Sequence, residues 1–135
     1  MKKLILIEIC FVLCLCGCTK KHSTNSNYRN DEQLEKEITM NFKKIDESAN
    51  KTSSNPYDYT KNEYYKNIVK LGENAVYVLE NMYKSNKLMG VSAYLSALAI
   101  QDITKCDLYE KYNLDWTTAE EFYTLWEDNN CSFKN

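Results

Sequence analysis

Histidine is nearly missing from this chain: the only one, His22, stands in a polar stretch near the N-terminus. Hydrolase constellations that pair a Ser or Cys nucleophile with an imidazole base are therefore excluded, as are zinc sites built on two histidines. Glycine and proline are almost as scarce, at three and one. Neither a P-loop nor a GxGxxG fingerprint occurs, so the backbone cradles that hold phosphates are missing. The acid-and-amide stretch "WEDNNCS" lacks the alternating ligands and terminal Glu of an EF-hand loop. A chain with so few turn residues is expected to be helical. No apolar run reaches the roughly 20 residues that cross a bilayer. The longest, Leu4 to Leu15, has twelve residues and carries Glu8 within it. Net charge is only −2, and no basic stripe interleaved with aromatics appears, so a nucleic-acid partner is not expected. No cofactor or metal site is expected either.

What the chain does have begins at its N-terminus. Lys2 and Lys3 precede the short apolar run, which matches the charged and hydrophobic regions of an export signal. The run ends in Leu15-Cys16-Gly17-Cys18, and four of the six cysteines (Cys10, Cys14, Cys16 and Cys18) crowd into this leader. The four-residue stretch resembles the lipobox of bacterial lipoproteins. The resemblance implies cleavage between Gly17 and Cys18, with Leu15 at −3, Gly17 at −1 and Cys18 as the lipidated first residue. Cys14 and Cys16 do not fit that role, because Leu13 and Leu15 are too large for the preceding position. Acyl chains on Cys18 would contribute about 0.8 kcal/mol per buried CH₂, so two or three of them anchor a protein without a spanning helix. The implied location is the outer face of the cytoplasmic membrane, with membrane lipid engaged through Cys18. The bias to Lys and Asn, with Arg29 the sole arginine, fits an AT-rich coding background and a Gram-positive source.

Three segments follow: a signal peptide over 1–17, the lipidated cysteine and a polar tether over 18–30, and a helical domain over 31–135. Residues 19–30 lack aliphatics, and such a stretch has an r.m.s. span of roughly 20 Å. From Asp31 the apolar period becomes helical. Leu34, Ile38, Phe42, Ile45 and Ala49 form one stripe, capped by Asn30 or Asp31 and stopped by Asn50 to Pro56. A second helix is predicted over 61–71 with Tyr64, Tyr65, Ile68 and Leu71 inward, closed by Gly72. A third covers Glu73 to Ser85 with Ala75, Val76, Leu79, Met82 and Tyr83 inward. A fourth covers Val91 to Lys105, burying Val91, Tyr94, Leu95, Leu98 and Ile103. A last helix starts at Thr117 or Thr118, since each has a Glu three residues on, and buries Ala119, Phe122, Tyr123 and Trp126. The expected fold class is all-α, a bundle of about five short helices.

The run "IVKLGENAVYVLENMYKSNKLMGVSAYLSALAIQDI", residues 68–103, resembles part of a HEAT-type helical repeat. The resemblance rests on Leu71-Gly72, the amphipathic helix after it and the small-residue-rich helix beyond. It implies helix-hairpin packing rather than a solenoid, because no second copy of the unit is present.

Candidate sites are few. Removal of the leader leaves Cys106 and Cys131 as an even pair beside Cys18, a possible disulfide outside the cytoplasm. Between Asp102 and Asp128 eight acids face two lysines. Glu120, Glu121, Glu127 and Asp128 form the possible acidic binding face, which is otherwise simply a solvated helix surface. Adjacent carboxylates such as Glu120 and Glu121 point apart on a helix and do not make a glycosidase pair. Tyr57, Tyr59, Tyr64 and Tyr65, with Trp116 and Trp126, could stack on sugars or simply pack. The expected function is a non-enzymatic, membrane-anchored module that binds a protein or cell-envelope component. The alternative is a self-protection lipoprotein that intercepts a cationic toxin or hydrolase.

Overall fold

Leu34, Ile38, Phe42 and Ile45 lie on one face of a helix and are all buried, which is why the first element packs as it does. A computed structural model of the chain describes residues 30–48, 55–129 and 131. Residues 1–29, which hold the expected leader, Cys18 and tether, together with Ala49, residues 50–54, Asn130 and the last four residues, lie outside the described residues. Among the described residues there is no strand, and no helix is long and apolar enough to cross a membrane. The described chain is all-α.

Helix α1 runs Asp31–Ser48. Asn30 caps it, its Oδ1 accepting from the Glu32 N–H at 3.2 Å. A 3-10 helix, Pro56–Lys61, precedes α2, Glu63–Lys70. Its presence corrects the expectation that Pro56 merely ends a stop signal. Asn55 caps the turn and Pro56 occupies the first helical position, where a missing N–H is harmless. Asn62 then caps α2, which moves that helix's start from 61 to 63. Its Nδ2 also donates to Ser48 Oγ at 2.7 Å, tying the end of α1 to the start of α2.

Gly72 adopts φ +71° and ψ −159°, a conformation open to glycine alone, and so joins α2 to α3, Glu73–Lys84, over two residues. Helix α4 is Val91–Thr104 and packs against α2, α3, the 3-10 helix and α6. Ala93 and every residue from Leu95 to Ile100 are buried. A single inward stripe was expected here, and that expectation needs correction. Ala93, Ser96, Ala97 and Ala99 are small enough for neighbours to approach on several faces, so α4 is enclosed rather than amphipathic. Val91, expected inside, is 51% exposed, while Tyr94 and Ile103 are half-buried.

A short helix that the periodicity does not reveal, α5, spans Leu108–Tyr112. Asp107 caps it through the N–H groups of Tyr109 (2.8 Å) and Glu110 (3.1 Å), and Leu108 is fully buried. The last helix, α6, is Ala119–Asp128, and its register is settled by a capping box. Thr118 Oγ1 accepts from the Glu121 N–H, and Glu121 Oε2 accepts from the Thr118 N–H, both at 3.1 Å. Thr117 adds its own N–H and hydroxyl to the same carboxylate oxygen at 2.7 and 2.8 Å. Six α-helices and one 3-10 helix therefore stand among the described residues, against about five expected. The α3–α4 pair, the segment that resembles a HEAT-type hairpin, packs together.

The α3–α6 contact is built from matched positions one turn apart. Trp126, fully buried, donates its indole N–H to Glu80 Oε1 at 2.6 Å. Tyr83 stacks on Tyr123 with centroids 3.8 Å apart, and Lys84 pairs with Glu127 at 2.8 Å. Deeper in, Ser96 spends its only hydroxyl proton on the Ala93 carbonyl (2.7 Å). The Tyr123 hydroxyl must therefore donate to Ser96 Oγ at 2.8 Å. Tyr65 donates to Asp102 Oδ2 at 2.7 Å, joining α2 to α4.

Candidate functional site

The four acids expected to form one binding face are all exposed, and Glu120 with Glu127, like Glu121 with Asp128, stand seven residues apart and so nearly in line along α6. Glu120 and Glu121 open α6, whereas Glu127 and Asp128 close it, about 10 Å along the helix at 1.5 Å rise per residue. Glu121 is occupied with its cap. Bonds from the Thr117 N–H, then the Thr117 hydroxyl and the Thr118 N–H, hold its carboxyl below the usual carboxylate range. Glu127 is engaged by Lys84, whose ammonium is pushed up chiefly by that bond. Two of the four residues thus already serve the fold.

The tyrosines, in contrast, disperse. Tyr65 is buried against Asp102, and Lys44 lies over the Tyr64 ring at 5.1 Å. Tyr57, 54% exposed, meets Tyr94 edge-on at 6.5 Å. Tyr94 continues to Trp116 at 4.8 Å, Trp116 to Phe122 at 5.0 Å, and Phe122 to Trp126 at 5.5 Å. This chain of rings runs from the surface into the core. Burial, then the hydrogen bond with Tyr57, pushes the Tyr94 phenol up to about 12.

The surface that stands out is the turn between α3 and α4. Leu88 is buried and anchors it, while Met89 is 74% exposed and Val91 stands outside beside it. Ser92 makes the turn rigid: its hydroxyl donates to the Met89 carbonyl at 2.9 Å, and its oxygen faces the Met89 N–H at 3.2 Å. Gly90 supplies the positive φ of +55° that the turn requires. Grooves flank this ridge. One, of about 480 Å³, is lined by Phe42, Ile45, Tyr59, Val91 and Leu95. The other, of about 580 Å³, is lined by Tyr83, Leu88, Tyr94 and the residues that lead into α6, Thr117, Thr118 and Ala119. A thioether held out by a fixed backbone between two partly apolar grooves has the form of a protein-contact anchor. Sequence reasoning missed it, since Val91 reads as a core position. The one signal available was Met-Gly-Val at a chain turn, where side chains face solvent.

A third groove of about 800 Å³ lies between α1 and α2 and mixes Leu34, Met40 and Leu71 with polar side chains such as Lys36, Lys44 and Asn67. Among the described residues no three of His, Cys, Asp or Glu gather to hold a metal ion. Cys106 and Cys131 do come together, with sulfurs 3.9 Å apart. The lipobox-like residues lie outside the described residues. No family model, curated protein or solved structure matches the chain.

Proposed function

We propose that this chain is a lipid-anchored extracytoplasmic lipoprotein, whose helical domain is a non-enzymatic binding module held at the outer face of the cytoplasmic membrane. The observation that carries the reading is Leu15-Cys16-Gly17-Cys18, placed directly after a charged and then apolar leader. The polar residues 19–30 follow as a tether, and Lys20 and Lys21 sit where anionic headgroups would attract them by about 1 kcal/mol each. The rigid Met89–Val91 ridge supports a protein as the partner, because such an anchor is suited to an apolar pocket.

Mass spectrometry of the mature chain, together with fractionation of Cys18→Ser, tests the anchor. The expected outcome is an N-terminus at acylated Cys18 and a shift of at least about tenfold from membrane to soluble fractions in the variant, or retention as uncleaved precursor. A mature N-terminus elsewhere, or an unmodified Cys18, overturns the reading.

A second reading, interception of a cationic toxin or hydrolase, is favoured by the eight acids against two lysines between Asp102 and Asp128. It predicts binding that weakens steeply with salt, since the Debye length falls from about 10 Å at 0.1 M to about 3 Å at 1 M. Neutralising Glu120 and Asp128 together should weaken it further without touching the α6 cap. Binding by the Met89 ridge, in contrast, holds in high salt and drops with Met89→Asp.

A further inference from the structure

We propose that Cys106 and Cys131 form an oxidisable dithiol whose disulfide clamps the end of α6 to the corner between α4 and α5. Their sulfurs touch at 3.9 Å although the residues are 25 apart in sequence. Each is positioned by its own backbone anchor. Lys105, at φ +55°, ends α4 and turns the chain, and the Cys106 N–H donates to Thr104 Oγ1 at 3.2 Å. The Cys131 N–H donates to the carbonyl of Trp126, a fully buried residue, at 3.1 Å. Closing the pair to bond length needs sulfur movement of only about 2 Å, within reach of side-chain rotation.

The two thiols have different roles in the chemistry. Cys106 is buried, and burial, followed by the contact with the Cys131 thiol, pushes its pKa up. It therefore stays protonated at neutral pH and is a poor first nucleophile. Cys131 is half-buried and is the one an external oxidant reaches first. The oxidant is a disulfide, either of an oxidoreductase or of a small thiol. The Cys131 thiolate attacks one of its sulfurs, breaks the S–S bond and releases one thiol, leaving a mixed disulfide. Cys106 then gives up its proton and attacks the Cys131 sulfur, which releases the second thiol. Two protein thiols become one disulfide as one external disulfide becomes two thiols, so protons and electrons balance. The closed loop contains α5, Trp116 and all of α6. Because Thr117, Thr118 and Ala119 wall the groove beside Met89, the clamp also secures one side of the candidate contact surface. The geometry is independent of the lipid anchor, so either inference can fail alone.

The test treats the purified full chain with glutathione disulfide, alkylates it under denaturing conditions and digests it with trypsin. Cleavage after Lys105 and Lys111 puts the two cysteines on separate peptides, 106–111 and 112–134. The expected product is those peptides joined and lighter by two hydrogen atoms, with a Tm that falls by on the order of 10 °C on reduction. Cys131→Ser, which changes a half-buried position beyond the end of α6, should melt like the reduced parent and ignore reductant. Alkylation of both thiols after oxidation, separate glutathione adducts on each, or a joined product with unchanged Tm would overturn the proposal.

Discussion

Trp126→Ala is expected to lower Tm by about 15 °C or more. Trp126 is fully buried and stacks near-parallel on Phe122 at 5.5 Å. Truncating a buried aromatic to alanine costs about 3–5 kcal/mol through lost burial and the cavity left behind. Folded domains hold only about 5–15 kcal/mol in total, and each kcal/mol moves the Tm of a domain this size by about 4–8 °C. The indole N–H, which donates to buried Glu80 at 2.6 Å, is lost as well. Trp126→Phe separates the two contributions: it keeps most of the apolar volume and removes the donor, for an expected loss of about 1–3 kcal/mol. Glu80→Gln keeps an acceptor and removes the charge, and should cost less than Trp126→Ala. Urea denaturation followed by far-UV circular dichroism measures all three. A Trp126→Ala midpoint close to that of the parent would mean that α6 does not depend on this contact.

Stability should also collapse at alkaline pH, after a plateau through neutrality. Four phenols, those of Tyr65, Tyr83, Tyr94 and Tyr123, hold their protons more tightly in the fold than in the unfolded chain. Tyr65 is raised by burial first and then by its bond to the Asp102 carboxylate. Tyr123 is raised chiefly by burial, and Tyr94 reaches about 12. The unfolded phenol titrates near 10. Below about pH 10 both states keep these protons, so the contribution is fully present. Above about pH 10 the unfolded chain releases protons that the fold retains, so fewer are bound in the unfolded state and unfolding gains with each further rise in pH. Each such proton steepens the loss by about 1.4 kcal/mol per pH unit. Urea midpoints taken from neutrality up to pH about 11.5 should stay level and then fall steeply. Tyr65→Phe should flatten the fall by about one proton, at a cost near 1 kcal/mol at neutrality for the lost bond. A midpoint that stays level across the whole range would contradict the burial of these hydroxyls.

Much of the local structure was legible from residue types, and the reasons are short-range. Asn30 and Thr118 accept from N–H groups two or three residues on, so their caps can be read from the chain itself. Gly72 stands where only glycine tolerates the backbone. The stripe Leu34, Ile38, Phe42 and Ile45 required no knowledge of what it packs against. Short elements were less visible: five-residue α5 has one buried side chain and too few positions to show a period. Helix α4 misled for another reason. When a helix is apolar on several faces, periodicity does not say which end emerges, and Val91 was placed inside.

The sequence alone determined the all-α class and the positions of most helix starts and stops, because these depend on signals within a turn or a short motif. Only the tertiary structure decided that Met89 projects between two grooves. It also decided that Glu80 receives a hydrogen bond from a tryptophan 46 residues away, and that Cys106 meets Cys131. Those facts depend on how helices cross, which is set by the shapes of side chains brought together from distant parts of the chain.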